Sequence, residues 1–473
     1  MILLRRLPAL LTLTLCACVA GPDYVKPADP VATGAWLTSA PAGDVDIAWW
    51  RRFDDPLLAE LVQAAAKRNL DVREAAARLL EARANRDAIA GGARPQVDAT
   101  AAASRNQLSE NGQLPLGRIP ALERRFTLFD AGFDASWEID FWGRNVRAIE
   151  AADARIGAAE SMRSAALMQV IAELVRSYVD LRAAQARLRS TRADAQAREA
   201  VARLVGERHR FGEAARFDAL RADAQAKSVR AAIAGIEAQA HAAAYRIALL
   251  TGQPPEALSR RLLYDAALPA APEAVSAGLR SELLRRRPDI RRAERELAAA
   301  TADVGTATAD LFPRVALLGS IGQQARTGGD LVDTGSTRFS FGPSLYWPLF
   351  DGGRIRARIR AADAQAEAAA LRYERAVLGA LNDSETALNQ LDSERRTRED
   401  TEAARRQSAD ALDLARQRYQ AGEDDLIALL QAQSAYSAAE RASVDARANE
   451  LQALVALYKA LGGGWERFEP HLP

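Results

Sequence analysis

The sequence predicts a mostly α-helical protein that also contains transmembrane β-strands and is built from one module used twice. Three observations lead to this fold class. Residues 121–253 and 349–469 contain no proline, although the chain has 19, and a proline inside a helix costs about 3 kcal/mol. Apolar and polar residues alternate along four shorter segments, as they do in strands. The two halves of the chain also repeat each other, which indicates duplication of a whole module.

Composition narrows the classes of function. The chain has 473 residues with 63 Lys+Arg and 62 Asp+Glu, a net charge of +1, so a general attraction to nucleic acid is not expected. The chain has three histidines and two cysteines, too few to favour a catalytic metal site or a disulfide framework. The sequence has no HExxH, GxSxG or P-loop motif. We therefore expect no enzyme activity, no metal and no dissociable cofactor.

The first element is a targeting segment. Residues 1–17 contain two early arginines and an apolar stretch at 7–15, which is typical of a secretory signal and too short to span a bilayer. The signal ends in Leu-Cys-Ala-Cys, which resembles the lipobox of bacterial lipoproteins. Cys18 follows a small alanine whereas Cys16 follows a leucine, so we expect lipidation at Cys18; an ordinary secreted protein cut nearby is the alternative. Val19, rather than an aspartate, comes next and favours sorting to the outer membrane.

The order of the remaining segments follows from composition and from the repeats. An extended tether is expected at 18–48, because glycine and prolines begin it. The first repeat is expected at 49–255, an inter-repeat linker at 256–278, the second repeat at 279–466 and a C-terminal tail at 467–473. No stretch after the signal approaches 18 uncharged apolar residues, so no transmembrane helix is predicted.

Short matches fix the register of the two repeats. Asp71–Arg73 matches Asp289–Arg291 at an offset of 218 residues, and beyond a variable polar stretch the offset becomes 210. The second offset persists over more than a hundred residues, which shared composition alone does not produce. The change of offset falls where an exposed loop can absorb it. The pairs at 210 include Trp137 with Trp347, Arg208 with Arg418, Gly212 with Gly422, and Gly252 with Gly462.

Each repeat is expected to contain a helix, two strands, a long helix, a turn and another helix. The first long helix should run from about Asn145 to Arg210, roughly 100 Å at 1.5 Å per residue. Apolar residues recur along it every three or four positions, which is typical of a coiled-coil seam. The strands are expected at about 95–107 and 125–142 in the first repeat, and at about 313–323 and 336–350 in the second.

The alternating strands admit two interpretations. They could lie half-buried on a soluble core, or they could face lipid on one side and water on the other. Their alternation extends well beyond the average soluble strand of about 5–6 residues, and aromatic residues such as Phe129 and Trp137 lie at both ends, as at membrane interfaces. We therefore expect strands that span a membrane. Known single-chain barrels begin at about eight strands, so four strands require oligomerisation.

Several motifs resemble one family. The lipobox, "GPDYVKP", "WWRRFDDPLLAELV", "RRRPDIRRAE", "FDAGFDASWEIDFWGR" and the pair "RYQAGEDDL" and "LYKALGGGW" are similar to motifs of the TolC-type outer-membrane efflux channels, in the OprM-like, NodT-type lipoprotein branch. The resemblance extends from Cys18 to about Trp465. It implies a homotrimer in the outer membrane, lipid-anchored and extending into the periplasm. Twelve strands would form one β-barrel, continuous with a periplasmic α-helical barrel.

The resemblance also implies function and partners. The trimer would be the passive exit duct of a tripartite efflux pump for drugs or other toxic small molecules. An inner-membrane transporter of the resistance-nodulation-division class would supply the energy, and a periplasmic adaptor would connect the two. Two alternatives stay open: the duct of an ATP-driven type I protein secretion system, or a lipid-anchored periplasmic coiled-coil protein without a pore. The sequence identifies neither the substrates nor the particular transporter and adaptor.

The family's closed end corresponds to the two helix-to-helix turns, at 208–220 and 418–430. These tips receive the adaptor in the family, through positions that match Arg208, Gly212, Leu220, Gly422 and Leu430. The periplasmic gate would involve Arg418, Tyr419, Glu423, Asp424, Asp425, Ile427 and Gln431. Among these, Ile427 matches an apolar ring and Gln431 stands where the family usually has an acidic ring. Glu423–Asp425 could supply the negative mouth instead, or they could be acids that favour a helix N-terminus.

Overall fold

The computed structural model describes residues 19–27, 35–38, 43–109, 123–272 and 274–468. The signal peptide expected at 1–17 and the lipidation site Cys18 lie outside these residues, as do parts of the predicted tether and C-terminal tail.

The described part of the chain is dominated by helices. Two of them are far longer than the rest, with 67 residues in Arg144–Arg210 and 68 in Arg354–Ala421. Their length follows from alanine-rich sequence without proline, which keeps every backbone hydrogen bond available. The α-helices are α1 (Pro56–Arg68), α2 (Leu70–Gly92), α3 (Arg144–Arg210), α4 (Arg216–Leu250), α5 (Pro255–Leu262), α6 (Leu283–Arg286), α7 (Pro288–Ala309), α8 (Arg354–Ala421) and α9 (Leu426–Ala460).

Four strands form one antiparallel sheet in chain order. They are β1 (Gln96–Gln107), β2 (Arg125–Ile139), β3 (Arg314–Ala325) and β4 (Thr337–Tyr346). The first repeat supplies β1 and β2 and the second supplies β3 and β4, so the repeats join where Phe133 pairs with Ile321. β1 and β4 are the edges of this sheet. The fold class expected from the sequence, long helices with two strands in each repeat, is confirmed.

Two strands end earlier than the sequence predicts, because a carboxylate starts the next helix. β2 ends at Ile139 rather than near 142, and Asp140 accepts hydrogen bonds from two N–H groups at the start of α3, at 2.8 and 2.9 Å. β4 ends at Tyr346 rather than near 350. Asp351 accepts in the same way from two N–H groups at the start of α8, at 2.9 and 2.7 Å. Helix N-termini have four such N–H groups without an intrahelical acceptor.

The two faces of the sheet differ in polarity. Phe133, Ile321 and Phe339 are neighbours across three strands and are 58%, 58% and 81% exposed. The opposite face carries Asp98 and Asp134, which pair directly across β1 and β2. A face of large exposed apolar side chains is what lipid-facing strands require, and it argues against strands that lie on a soluble core. Of the described helices, none combines the length and the apolar character needed to cross a membrane.

Contacts divide the chain into two compact units. The unit that holds the sheet consists of Met1–Pro27, Leu80–Ala158 and Glu294–Arg372. The other unit, which holds the largest apolar core, consists of Ala28–Leu79, Ala159–Ala293 and Tyr373–Pro473.

Tryptophans from the "WWRRF" motif anchor that core. Trp49 and Trp50 lie in a 3-10 turn, Trp49–Phe53, and are 1% and 2% exposed. The ring of Trp49 stacks on Tyr458, with 5.0 Å between centroids and 10° between planes. Such aromatic pairs add about 0.5–1.5 kcal/mol beyond the burial of their area. The motif therefore has a structural role, since it joins the start of the first repeat to the end of the second.

Two further motifs meet at Arg287. This buried guanidinium donates to the carbonyl oxygen of Ala460 at 3.0 Å and to carboxylates of Asp289 and Asp383 at 2.7 and 3.1 Å. It thereby satisfies a carbonyl at the C-terminal end of α9. Gly462 has φ +75°, and a Cβ there would lie 2.9 Å from Cγ of Arg287. "RRRPDI" and "LYKALGGGW" are thus explained by one packing contact.

Candidate functional site

The two helix-to-helix turns have the same backbone geometry. The N–H of Glu213 donates to the carbonyl oxygen of Arg208 at 2.8 Å, and the N–H of Glu423 donates to that of Arg418 at 2.9 Å. These bonds close a Schellman motif, in which a residue of positive φ follows the helix. Gly212 and Gly422 occupy that position, with φ +82° and +77°. Glycine is needed here because other residues are strained in this region.

One side-chain contact joins the first turn to the second. Arg208 donates from Nη1 to the hydroxyl oxygen of Tyr419 at 3.3 Å, which links the end of α3 to the end of α8. Arg208 also faces Glu213 at 3.8 Å. The family resemblance predicted adaptor docking for Arg208 and a gating role for Tyr419, and the structure brings the two residues together.

The acidic residues of the second tip have different partners. Asp425 is the N-cap of α9, because its Oδ1 accepts from the N–H of Ala428 at 2.9 Å. Asp424 pairs with Arg418 at 3.0 Å, and Glu423 faces the same guanidinium at 3.8 Å. Asp424 is thus locally neutralised, whereas Asp425 supports the helix start.

Two residues of the predicted gate lie on one exposed face of α9. Ile427 and Gln431 are both exposed and are separated by four residues, so they lie one above the other on the helix. Leu430 is only 3% exposed, whereas its counterpart in the first repeat, Leu220, is 59% exposed. The side chain of Leu430 therefore packs inside the protomer and Leu220 reaches the surface.

Sequence reasoning missed two aromatic residues of the first tip. Phe211 is 79% exposed and Phe217 is 67% exposed, on either side of the turn. The repeat carried a signal for one of them, since Phe217 stands 210 residues before Ile427. Together with Leu220 they form the apolar tip, a name used below for Phe211, Phe217 and Leu220. Clustered exposed apolar side chains of this size indicate a contact surface.

A partly buried ion network joins α8 to α9 away from the tips. Glu402 accepts hydrogen bonds from Arg405 on its own helix and from Ser443 and Arg447 on α9, each at 2.8 Å. The bond from Arg405, with smaller contributions from Ser443 and Arg447, lowers the pKa of Glu402 to about 2. The side chain of Glu402 is 16% exposed, whereas those of Arg405 and Arg447 are 28% and 51% exposed, so solvent screens part of this network.

We expect acid to weaken the pairing of α8 and α9 through this residue. The pKa of Glu402 is below its ordinary value of 4.5 in the fold, so its contribution is complete above pH 4.5 and is lost as the pH falls towards 2. Glu402→Gln should lower the free energy of unfolding near pH 7 by about 1–2 kcal/mol, because solvent reaches its partner Arg447, and should have little effect near pH 2. Thermal unfolding followed by circular dichroism across this range would test it. Glu399→Gln, one turn away, is the control, and equal losses for both variants would contradict the prediction.

The polar face of the sheet contains an ion pair that crosses a strand. Arg338 on β4 contacts Asp130 on β2 at 2.6 and 3.0 Å. Gly322 pairs with Arg338 on the intervening strand, and Gly132 pairs with Gly322. The two glycines leave space above the sheet through which the long side chain passes.

No metal-ligand cluster is found in the part of the chain that the structure describes: His, Cys, Asp and Glu side chains do not come together there in threes as ligands would.

Comparisons with known proteins match this architecture. The sequence model of the outer membrane efflux protein family matches residues 61–253 and 279–463, so each repeat corresponds to one copy. The pyoverdine export outer membrane protein OpmQ of Pseudomonas aeruginosa is 35% identical over 422 residues, covering 88% of this chain and 87% of OpmQ. Nodulation protein T of Rhizobium leguminosarum bv. trifolii is 32% identical over 461 residues, covering 96% of each chain.

Solved structures agree with the sequence relatives. The outer-membrane channel OprN superimposes with a TM-score of 0.85 at 38% identity, covering 95% of this chain and all of that one. The outer membrane protein VceC of Vibrio cholerae gives 0.80 at 27% identity, covering 89% and 100%. The expected resemblance to a channel family is therefore confirmed. This chain belongs to the outer membrane efflux protein family, the TolC-type channels that serve as outer-membrane ducts of efflux pumps.

Proposed function

We propose that three copies of this chain assemble into one outer-membrane duct. The observation that carries the proposal is the open sheet: β1 and β4 are edges, and one face exposes large apolar side chains. Unpaired backbone groups in lipid cost several kcal/mol each, so a spanning sheet must close. Three copies supply twelve strands, within the range of known barrels.

The mass of the detergent-extracted protein tests this assembly. We expect about three times the chain mass, which is 51.1 kDa before the signal is removed, once bound detergent is subtracted from the light-scattering value. Insertion into planar bilayers should then give discrete channel conductance. A stable, water-soluble monomer would overturn the duct and would favour a periplasmic protein without a pore.

We propose further that the duct serves a tripartite pump for small molecules. An adaptor would bind the apolar tip, because its three side chains are exposed and lie at the turn where the helices reverse. An inner-membrane transporter of the resistance-nodulation-division class would supply the energy. Relatives that are named for pyoverdine export and for toluene efflux support small organic molecules rather than proteins as cargo.

A lipid on Cys18 is the last part of the proposal. Cys18→Ser should abolish incorporation of radioactive palmitate, because the thiol that carries the acyl group is replaced. Cys16→Ser is the matched control, since it lies two residues earlier within the signal, and it should leave incorporation unchanged. Persistent labelling of Cys18→Ser would refute the assignment.

A further inference from the structure

We propose that Val19–Tyr24, the segment that directly follows Cys18, is seated on the sheet-bearing unit, and that this seat sets where the acyl chains of Cys18 enter the membrane. The inference rests on the lipid anchor proposed above. It adds a fixed attachment over the first residues of the extended tether that the sequence predicts at 18–48.

Arg147 is the centre of the seat. Its side chain is only 5% exposed. It donates to the carbonyl oxygens of Ala20 and Gly21 at 3.2 and 3.5 Å and to Asp23 at 2.5 Å. The remaining end of the guanidinium pairs with Glu150 at 2.7 Å. A buried arginine that binds consecutive backbone carbonyls holds the segment itself and not only one side chain.

Glycines let the segment approach this surface closely. Gly21 has φ +83°, and a Cβ there would lie 2.4 Å from Cα of Gly305. A Cβ on Gly305 would lie 2.9 Å from the carbonyl oxygen of Ala20. Gly143 has φ +73°, and a Cβ there would lie 2.7 Å from Cγ1 of Val19. Gly143 and Gly305 thus leave a shallow groove, and Gly21 lets the backbone of the segment lie close against it.

Both ends of the segment are also fixed. The N–H of Ala20 donates to the carbonyl oxygen of Trp142 at 2.9 Å. The hydroxyl of Tyr24 donates to Glu294 at 2.8 Å, and the guanidinium of Arg295 lies 5.8 Å from the centre of the tyrosine ring. The seat therefore extends from Val19 to Tyr24 without a break.

The seat lies at the end of the sheet where helices begin. Trp142 stacks on Phe312, with 4.6 Å between ring centroids, and donates to the carbonyl oxygen of Pro313 at 2.9 Å. Tryptophan and other aromatic residues collect at membrane interfaces. Large apolar side chains exposed around this end of the sheet are Phe141, Trp347, Leu349 and Phe350.

The seat changes how far the lipid can move. A flexible tether of about 30 residues has an end-to-end distance of roughly 30 Å, so Cys18 could lie anywhere within that distance of the first repeat. Successive Cα atoms are about 3.8 Å apart, so a seated Val19 confines the acylated residue to the level of Trp142. The acyl chains would then enter the periplasmic leaflet beside the interface aromatics, next to the barrel wall.

A spin label tests the seat in the full, detergent-extracted protein. Val25→Cys places the label on an exposed residue, 79% accessible, directly after the segment. Cys16 leaves with the signal and Cys18 is acylated, so no other thiol competes. We expect a motionally restricted spectrum in this parent protein. Arg147→Gln removes the central contacts, and Gly305→Ala blocks the groove while favouring its own helix; both should convert the spectrum to the mobile form.

Arg155→Gln is the control, because Arg155 lies on the same helix and pairs with Asp303 at 2.5 Å on an exposed surface. It should leave the label restricted. A mobile label in the parent, or a restricted one in both Arg147→Gln and Gly305→Ala, would overturn the seat. Mass spectrometry of the N-terminal peptide separates this failure from the loss of the lipid anchor. If Cys18 is not acylated, its free thiol takes a second spin label. Such a doubly labelled protein would refute the lipid anchor and with it the proposed position of the acyl chains.

Discussion

Replacing Arg208 and Arg418 together by alanine is expected to open the periplasmic end of the proposed trimer. Arg208 donates to Tyr419 at 3.3 Å and Arg418 pairs with Asp424 at 3.0 Å, so each protomer loses these two polar contacts of its tips. Exposed pairs of this kind contribute about 0.2–1 kcal/mol each. Six of them in a trimer sum to about 3 kcal/mol, which changes the ratio of open to closed tips on the order of a hundredfold.

Single-channel conductance in planar bilayers is the appropriate measurement. The double variant should spend a larger share of its time in a high-conductance state than the parent does. Arg210→Ala with Arg416→Ala is the matched control, since these arginines lie on the same helix ends but pair with Glu207 and Asp413 of their own helices. Conductance equal to that of the parent would show that these contacts do not hold the gate.

Tyr419→Phe separates the two contacts within the tip. It removes only the hydroxyl that accepts from Arg208 and leaves the pair of Arg418 with Asp424 in place. We expect an intermediate open probability, because one of the two contacts in each protomer survives. This variant keeps the ring and the net charge of the tip unchanged, so altered electrostatics cannot explain its effect.

Gly132→Val is expected to prevent assembly of the barrel. A Cβ at Gly132 would lie 2.5 Å from the carbonyl oxygen of Ile321 and 2.8 Å from Cα of Gly322. These are backbone atoms of the paired strand, so rotation of a side chain cannot relieve the clash. Overpacking in a core typically costs 1–3 kcal/mol, and the clash recurs in all three protomers at the place where the repeats join.

The trimer band on mildly denaturing gels, and extraction with the outer-membrane fraction, report this assembly. Gly319→Val is the matched control, because Gly319 lies on the inner strand β3 and a Cβ there would be in ordinary contact, 3.5 Å from its nearest neighbour, a side-chain carbon of Phe341. Valine is favoured in strands, so the control should assemble normally. Normal trimer yield from Gly132→Val would contradict the close approach of β2 and β3.

Much of the fold was predictable because its signals are local. Missing prolines and abundant alanine determine the long helices, and an alternation of period two determines the strands. Gly212 and Gly422 mark the two reversals, since a positive φ after a helix favours glycine regardless of what surrounds it. The predicted ends of β2 and β4 were less accurate. Their positions depend on Asp140 and Asp351, which accept hydrogen bonds from the first N–H groups of the next helices.

The candidate site was predictable only in part. The sequence and its family resemblance located both tips, but they placed Arg208 and Tyr419 in separate groups. Their contact joins residues 211 positions apart, and no periodicity along the chain encodes such a pair. Leu220 and Leu430 occupy equivalent positions in the two repeats, but they differ in exposure. The packing of the helices buries Leu430 and leaves Leu220 exposed.

The sequence by itself determined the duplicated module, the long helices and the amphipathic strands, and it predicted that more than one chain is needed to close a barrel. Each follows from local backbone preferences or from the cost of unpaired groups in lipid. Tertiary structure alone decided which distant residues meet. It brought Arg147 onto the segment after Cys18, Arg287 onto the end of α9 and Arg338 across β3 to Asp130. Such contacts depend on how elements pack in three dimensions, and residues far apart in the chain carry no local signal of them.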